Sequence, residues 1–157
     1  MVWRIAAIVV SLAILVGIGL AVEPASTPPT IDNPAAVVVH TFDGAELQQF
    51  EWGWIRWIIN AKVEAKAPMT FGIVHVEANQ TNPVHVHPNS DEYLHVLSGS
   101  CEHRVGDKWV ALKTGDTIRI PRNAPHGIRT GKEACRSMIV YDTGDRQMVV
   151  VGNEQEM

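Results

Sequence analysis

From residue 71 to residue 141 the chain is built of short runs that alternate apolar and polar residues, with turn residues between them. Phe71-Gly-Ile-Val-His-Val76 is followed by Glu92-Tyr-Leu-His-Val-Leu97, which ends at Ser98-Gly99-Ser100. Cys101-Glu-His-Arg-Val105 leads through Gly106-Asp107 directly into Lys108-Trp-Val-Ala-Leu-Lys113, an order that predicts a hairpin on a Gly-Asp turn. Thr114-Gly115-Asp116, the run Thr117-Ile-Arg-Ile120, a Pro-rich turn and Arg136-Ser-Met-Ile-Val-Tyr141 close the series. No long stretch of helical period separates these runs. The expectation is an all-β, antiparallel sandwich or barrel. A chain of 157 residues has room for one such domain.

The ends read differently. Ile5 to Val22 is apolar or small throughout except for Ser11, with Arg4 before it and Gly19 and Ala21 at small-residue spacing. This pattern predicts a signal peptide cleaved after Ala21. It is also close to bilayer-spanning length, so an uncleaved anchor is the alternative, and a buried helix of the domain a third. The Pro-rich segment Glu23-Pro-Ala-Ser-Thr-Pro-Pro-Thr30 has the composition of a tether. The expected organisation is a signal or anchor at 1–21, a linker at 22–38, a barrel at 39–145 and a polar tail at 146–157. Both favoured readings of the leader place the domain outside the cytoplasm, with membrane contact only through an uncleaved N-terminal segment. With 13 basic and 17 acidic residues intermixed, there is no basic footprint for nucleic acid.

Glu46 to Asn60, ELQQFEWGWIRWIIN, holds Trp52, Trp54 and Trp57. Residues 55, 57 and 59 alternate around Arg56 and Ile58, which predicts a strand over about 54–60. The tryptophans either pack against the barrel or form a patch at its mouth or at a dimer contact.

His85-Val-His-Pro-Asn-Ser-Asp-Glu92 carries the chemistry. On a strand, residues i and i+2 share a face, so His85 and His87 aim two imidazoles at one point. Pro88-Asn89-Ser90 suits a turn, and Glu92 then opens a return strand with its carboxylate near the same point. Imidazole with carboxylate suits a first-row divalent metal, and such a site needs a further donor. His126 is the candidate: it follows Pro121-Arg-Asn-Ala-Pro125, a turn stiffened by two prolines in which Asn123 tolerates positive φ.

These residues resemble the cupin superfamily, in particular its small single-domain members. His85, His87, Glu92 and Gly99 match the first cupin motif, G-x5-H-x-H-x3–4-E-x6-G, and Gly115, Pro121 and His126 match the second, G-x5-P-x-G-x2-H-x3-N. Asn79 and Asn123 stand where the motifs have glycine, and Thr130 where the second ends in Asn. The resemblance, over about 70–142, implies a jelly-roll barrel holding one divalent metal (Fe, Mn, Ni, Zn, Cu or Co) on His85, His87, Glu92 and His126. It also implies that the chain around Cys101 lies close to Cys135, which makes a disulfide between them credible. His75 and His103 are weaker candidates for groups lining the cavity. His95, Arg56 and Arg119 are expected outside it or unassigned. Four protein ligands around an octahedral ion leave two positions for a small oxygen-bearing molecule. The favoured function is a metal-dependent dioxygenase, decarboxylase or isomerase. The alternative is an exported module that binds a metal or small ligand without turnover. Cupins often pair through sheet faces, so a homodimer is a further expectation.

Overall fold

The computed structural model describes residues 38–152. The expected signal or anchor at 1–21 and the linker up to residue 37 lie outside the described residues. Within them all regular structure is β: β1 Glu46–Phe50, β2 Gly53–Ile59, β3 Thr70–Val76, β4 His85–Val86, β5 Glu92–Ser98, β6 Ser100–Val105, β7 Lys108–Lys113, β8 Thr117–Ile120, β9 His126–Arg129, β10 Cys135–Tyr141 and β11 Val149–Val150. Six of these form a sheet in the order β1-β2-β3-β10-β5-β8, and five form a second sheet in the order β11-β4-β9-β6-β7. Every named pair is antiparallel.

Alternation in sequence becomes sidedness in space. In β5, Glu92, Leu94 and Val96 are buried while Tyr93 and Leu97 are exposed; in β10, Cys135, Ser137, Ile139 and Tyr141 are buried and their neighbours less so. The inward set joins Trp52, Trp57, Val74, Val76, Ile120 and Ile128 in one core. Burying such side chains contributes roughly 1.5–3 kcal/mol each, which is what holds the two sheets together. The Gly106-Asp107 hairpin forms as expected, with Val105 opposite Lys108 and Gly106 at φ 59°. Gly99, at φ 79°, carries the chain from β5 in one sheet to β6 in the other. A Cβ there would fall 2.0 Å from the carbonyl oxygen of Ala134, so only glycine fits the crossing.

The strand expected at about 54–60 forms as β2, and the residues before it add a further strand, β1, that pairs with it in a hairpin closed between Phe50 and Gly53. Most of β1 is exposed, so its Glu-Leu-Gln-Gln stretch lacks the alternation that marks a half-buried strand. The polar tail at 146–157 is in part structural: Val149 pairs with Val86 and Val150 with His85, and the Val151 amide donates to the Val84 carbonyl. A two-residue strand has no period, and its partner lies some 60 positions back in the chain. Finally, Cys101 and Cys135 are buried free thiols. They do meet, Cys101 in one sheet and Cys135 in the other, and share a hydrogen bond. That bond and burial push the Cys101 thiol up, while receiving it lowers Cys135 to about 7.

Among the described residues, only Asn79 (φ 58°) and Asn123 (φ 61°) are non-glycines with positive φ. These are the two positions where the motifs have glycine. Asn tolerates this backbone region; a β-branched residue does not. Asn123→Val is therefore expected to destabilise the domain by about 1–2 kcal/mol and Asn123→Gly by far less, read as urea midpoints at unchanged m. Equal midpoints would remove the conformational account. Thr130, in place of the motif's last Asn, donates its hydroxyl to the Glu77 carbonyl and accepts from the Gln80 amide at 3.1 Å. It takes over the support of that loop.

Candidate metal centre

β4 and β9 bring His85 and His126 directly opposite one another. His87 follows β4 by one residue, and Glu92 is the first residue of β5. Donor atoms of His85, His87, Glu92 and His126 all lie within 4.8 Å of one another, and all four side chains are buried. The imidazole centroids are 4.2 Å apart for His85 and His126, 4.9 Å for His85 and His87, and 5.0 Å for His87 and His126. The structure thus brings together all four residues singled out in the sequence.

Hydrogen bonds orient the three rings alike. Nδ1 of His85 donates to the Pro83 carbonyl (2.9 Å), Nδ1 of His87 to the Gln147 carbonyl (2.7 Å) and Nδ1 of His126 to the Ala124 carbonyl (2.8 Å). A carbonyl only accepts, so each proton sits on Nδ1 and each Nε2 keeps its lone pair in the neutral ring. Nε2 of His87 and of His126 each lie 3.2 Å from the same carboxylate oxygen, Oε2 of Glu92. Lone pairs that face one another repel. Either extra protons or a cation among the donors relieves this. The donor set therefore fits a divalent metal, with backbone carbonyls fixing the tautomers as they do for metal-ligating histidines.

Electrostatics agree with a site poised to bind positive charge. Burial, joined by the neighbouring His126, lowers His85 to about 3. Burial opposes ionisation of Glu92, but when the Nε2 atoms of His126 and His87 carry protons they hydrogen-bond the carboxylate, and this outweighs burial and holds the carboxyl well below its usual range. His126 is pushed the other way: burial lowers it, and Glu92 more than offsets that and raises it. Just outside the cluster, Asp91 accepts from the guanidinium of Arg119, the Arg122 amide (3.0 Å) and the Arg122 side chain, while its own amide donates to Asp142. This network pins the start of β5 and so the position of Glu92. Hydrogen bonding by Arg119, then by the Arg122 amide, keeps the Asp91 carboxyl below its ordinary value.

The other sequence candidates divide. His103 is buried, reaches the cavity and stacks on His126 at 5.9 Å; burial lowers it to about 4. His75 stacks on Trp54 (5.2 Å) and faces Glu77, away from the cavity. His95 bonds Thr117 on the outer face, Arg119 serves Asp91, and Arg56 caps the carbonyls of Phe42 and Ala45. The tryptophans split as well. Trp52 and Trp57 are buried and line the cavity, whereas Trp54 lies outside.

Two cavity residues escaped sequence reasoning. Tyr141 is buried with its ring 4.8 Å from His87, and burial followed by the charge of Glu92 pushes its phenol well above the usual range. Arg146 lies on the cavity wall, in the stretch that reads as a tail. Tyr141 had a signal, as the inward end of an alternating strand; Arg146 had none. The cavity has a volume of about 250 Å³ and is lined by three of the four donors, His85, Glu92 and His126, together with Phe50, Trp52, Trp57, Met148 and Val150.

A family model described as "Cupin domain" matches residues 72–141. No curated protein matches the sequence. Among solved structures, the oxalate decarboxylase of Lactobacillus farciminis in its formate complex superposes with a TM-score of 0.65 at 23% identity, over 76% of this chain and 38% of that one. The Bacillus subtilis oxalate decarboxylase, described with Mn(II) centres, gives 0.65 at 17% identity, over 78% and 35%. The polyketide cyclase RemF of Streptomyces resistomycificus gives 0.63 at 22% identity, over 73% and 85%. The chain therefore spans well under half the length of the two decarboxylases. At these identities the likeness speaks for the fold alone.

Proposed function

We propose that the chain, whose residues 72–141 match the cupin-domain model, binds one divalent transition metal on His85, His87, Glu92 and His126 and uses it to transform a small oxygen-bearing organic molecule. The observation that carries this reading is that each of the three imidazoles is tied through Nδ1 to a carbonyl, with Nε2 of His87 and His126 on the Glu92 carboxylate and a His85 donor within 4.8 Å of them. When bound, the metal supplies Lewis acidity and, for a redox-active ion, electron transfer. The chain's residues do the rest. His85, Glu92 and His126 present the centre to a cavity whose walls are mainly apolar. Tyr141 keeps its proton and directs its phenol toward Glu92. His103 holds its proton on Nδ1 against the Arg104 carbonyl (3.1 Å), so its Nε2 is an acceptor.

The neighbours named as a decarboxylase and a cyclase set the reaction classes to test first. The apolar leader at 5–22 supports an extracytoplasmic site of action. The experiment is turnover by Mn2+- or Fe2+-loaded protein against small carboxylic acids, catechols and β-diketones, followed by oxygen uptake, CO2 release and product mass. The expected result is turnover that a chelator abolishes and metal restores. Turnover indifferent to chelation would overturn the metal's role, and stoichiometric metal without any turnover would favour the binding module.

A further inference from the structure

The wall of the cavity and one cation on it narrow what the site accepts. Arg146 lies 4.6 Å from the Trp57 ring centroid and 5.2 Å from that of Tyr141, so its guanidinium is stacked on aromatic faces at the cavity wall. It has no acidic partner among the described residues, in contrast to Arg119, Arg122 and Arg129, which pair with Asp91, Asp142 and Glu102. Its position is nonetheless held. Asn89, in the turn between the ligands His87 and Glu92, donates to the Asp145 carbonyl (2.6 Å) and accepts from the Gln147 amide (2.9 Å). The Gln147 carbonyl in turn accepts from His87. Both neighbours of Arg146 are therefore clamped by the ligand-bearing loop. A half-buried guanidinium, fixed in place with its planar fork unused, is an anion receptor.

Apart from this cation the cavity walls are largely apolar and aromatic, with Phe50, Trp52 and Trp57 on β1, the turn and β2, and Leu94, Ile128 and Ile139. The volume of about 250 Å³ is slightly below the roughly 300–1,000 Å³ of drug-sized sites and suits a body of one or two rings. Oxalate, with two carboxylates and no apolar surface, would leave those walls facing charge. We infer that the ligand is an organic mono-anion with a planar, apolar body: its carboxylate sits on Arg146, its ring against Trp52 and Trp57, and a second oxygen substituent faces the four-donor cluster. The last contact rests on the metal-centre reading. The Arg146 and aromatic contacts do not.

Calorimetric titration tests this with 6-hydroxy-2-naphthoate, salicylate, 2-naphthol and oxalate, on wild type, Arg146→Gln and Arg146→Lys, each metal-free and Zn2+-loaded. The expected order is hydroxynaphthoate tightest and oxalate weakest. Arg146→Gln should weaken hydroxynaphthoate roughly 10- to 100-fold, the worth of hydrogen bonds to a charged group, and leave 2-naphthol within about twofold. Arg146→Lys should recover part of the loss, and unchanged melting midpoints show that each variant is folded. Oxalate binding as tightly as hydroxynaphthoate, or no effect of Arg146→Gln, overturns the inference. A metal-free protein that keeps the Arg146 contrast while failing to take up Zn2+ overturns the metal centre and leaves this inference standing.

Discussion

Alanine at both His85 and His87 is expected to take bound divalent metal from about one ion per chain to almost none, measured by elemental analysis after metal loading and desalting. Two of the four donors leave at once, and the remaining His126 and Glu92 lie 3.2 Å apart with no second imidazole donor beside them. The loss should also appear in stability. A ligand that binds only the folded chain stabilises it by about 2.7 kcal/mol at 100 times its Kd, so wild type should melt higher with metal than without, and the double variant at one temperature in both. His75→Ala is the control, since that ring stacks on Trp54 outside the cavity. Metal retained by the double variant, or lost equally from the control, would falsify the ligand assignment.

Acidification should destabilise the metal-free protein between pH 6.5 and about 4. In the unfolded chain His85 and His103 take up protons near pH 6.5, whereas burial holds them neutral in the folded domain until about 3 and 4. Through this window the unfolded state binds more protons, so stability falls as pH falls, by up to about 1.4 kcal/mol per pH unit for each imidazole. His126 is raised, so its contribution is complete below the ordinary histidine range and is lost only as pH rises through its folded value. It leaves the slope in this window unchanged. Glu92, held well below the carboxylate range, keeps its contribution until the pH drops beneath that range. Urea unfolding at successive pH values reads the slope, and His103→Gln, neutral at every pH, should flatten it by about half. Equal stability at pH 7 and pH 5 would show that these imidazoles are not buried neutral. Loaded with metal, the protein should lose the ion over the same range, because protons compete for Nε2.

The two Gly-to-Asn replacements show how closely local chemistry tracked the fold. Asn79 and Asn123 adopt positive φ because turn geometry demands it there, and Asn, of the non-glycines, meets that demand at little strain. Three of the candidate ligand positions were legible for a similar reason. His85 and His87 share a face by strand geometry, and the turn after them returns Glu92 to the same side. Where two sheets had to be assembled, the sequence fell short. Whether His75 or His103 enters the cavity depends on which face of β3 and β6 turns inward, and both runs alternate equally well. The cysteines show the same limit: proximity was implied, and the two thiols meet across the two sheets through a hydrogen bond.

By itself the sequence determined the all-β class, the hairpin at Gly106 and the grouping of His85, His87 and Glu92, because each rests on a period of two or on a turn within a few residues; His126 was tied to them only through the motif resemblance. The tertiary structure alone decided that the stretch after 145 closes a sheet edge, that Asn89 and His87 clamp the loop holding Arg146, and that Trp52 and Trp57 line a cavity while Trp54 does not. Those facts join residues from about 20 to 60 positions apart or more, through single hydrogen bonds and ring contacts. Contacts of that kind leave no period in the chain.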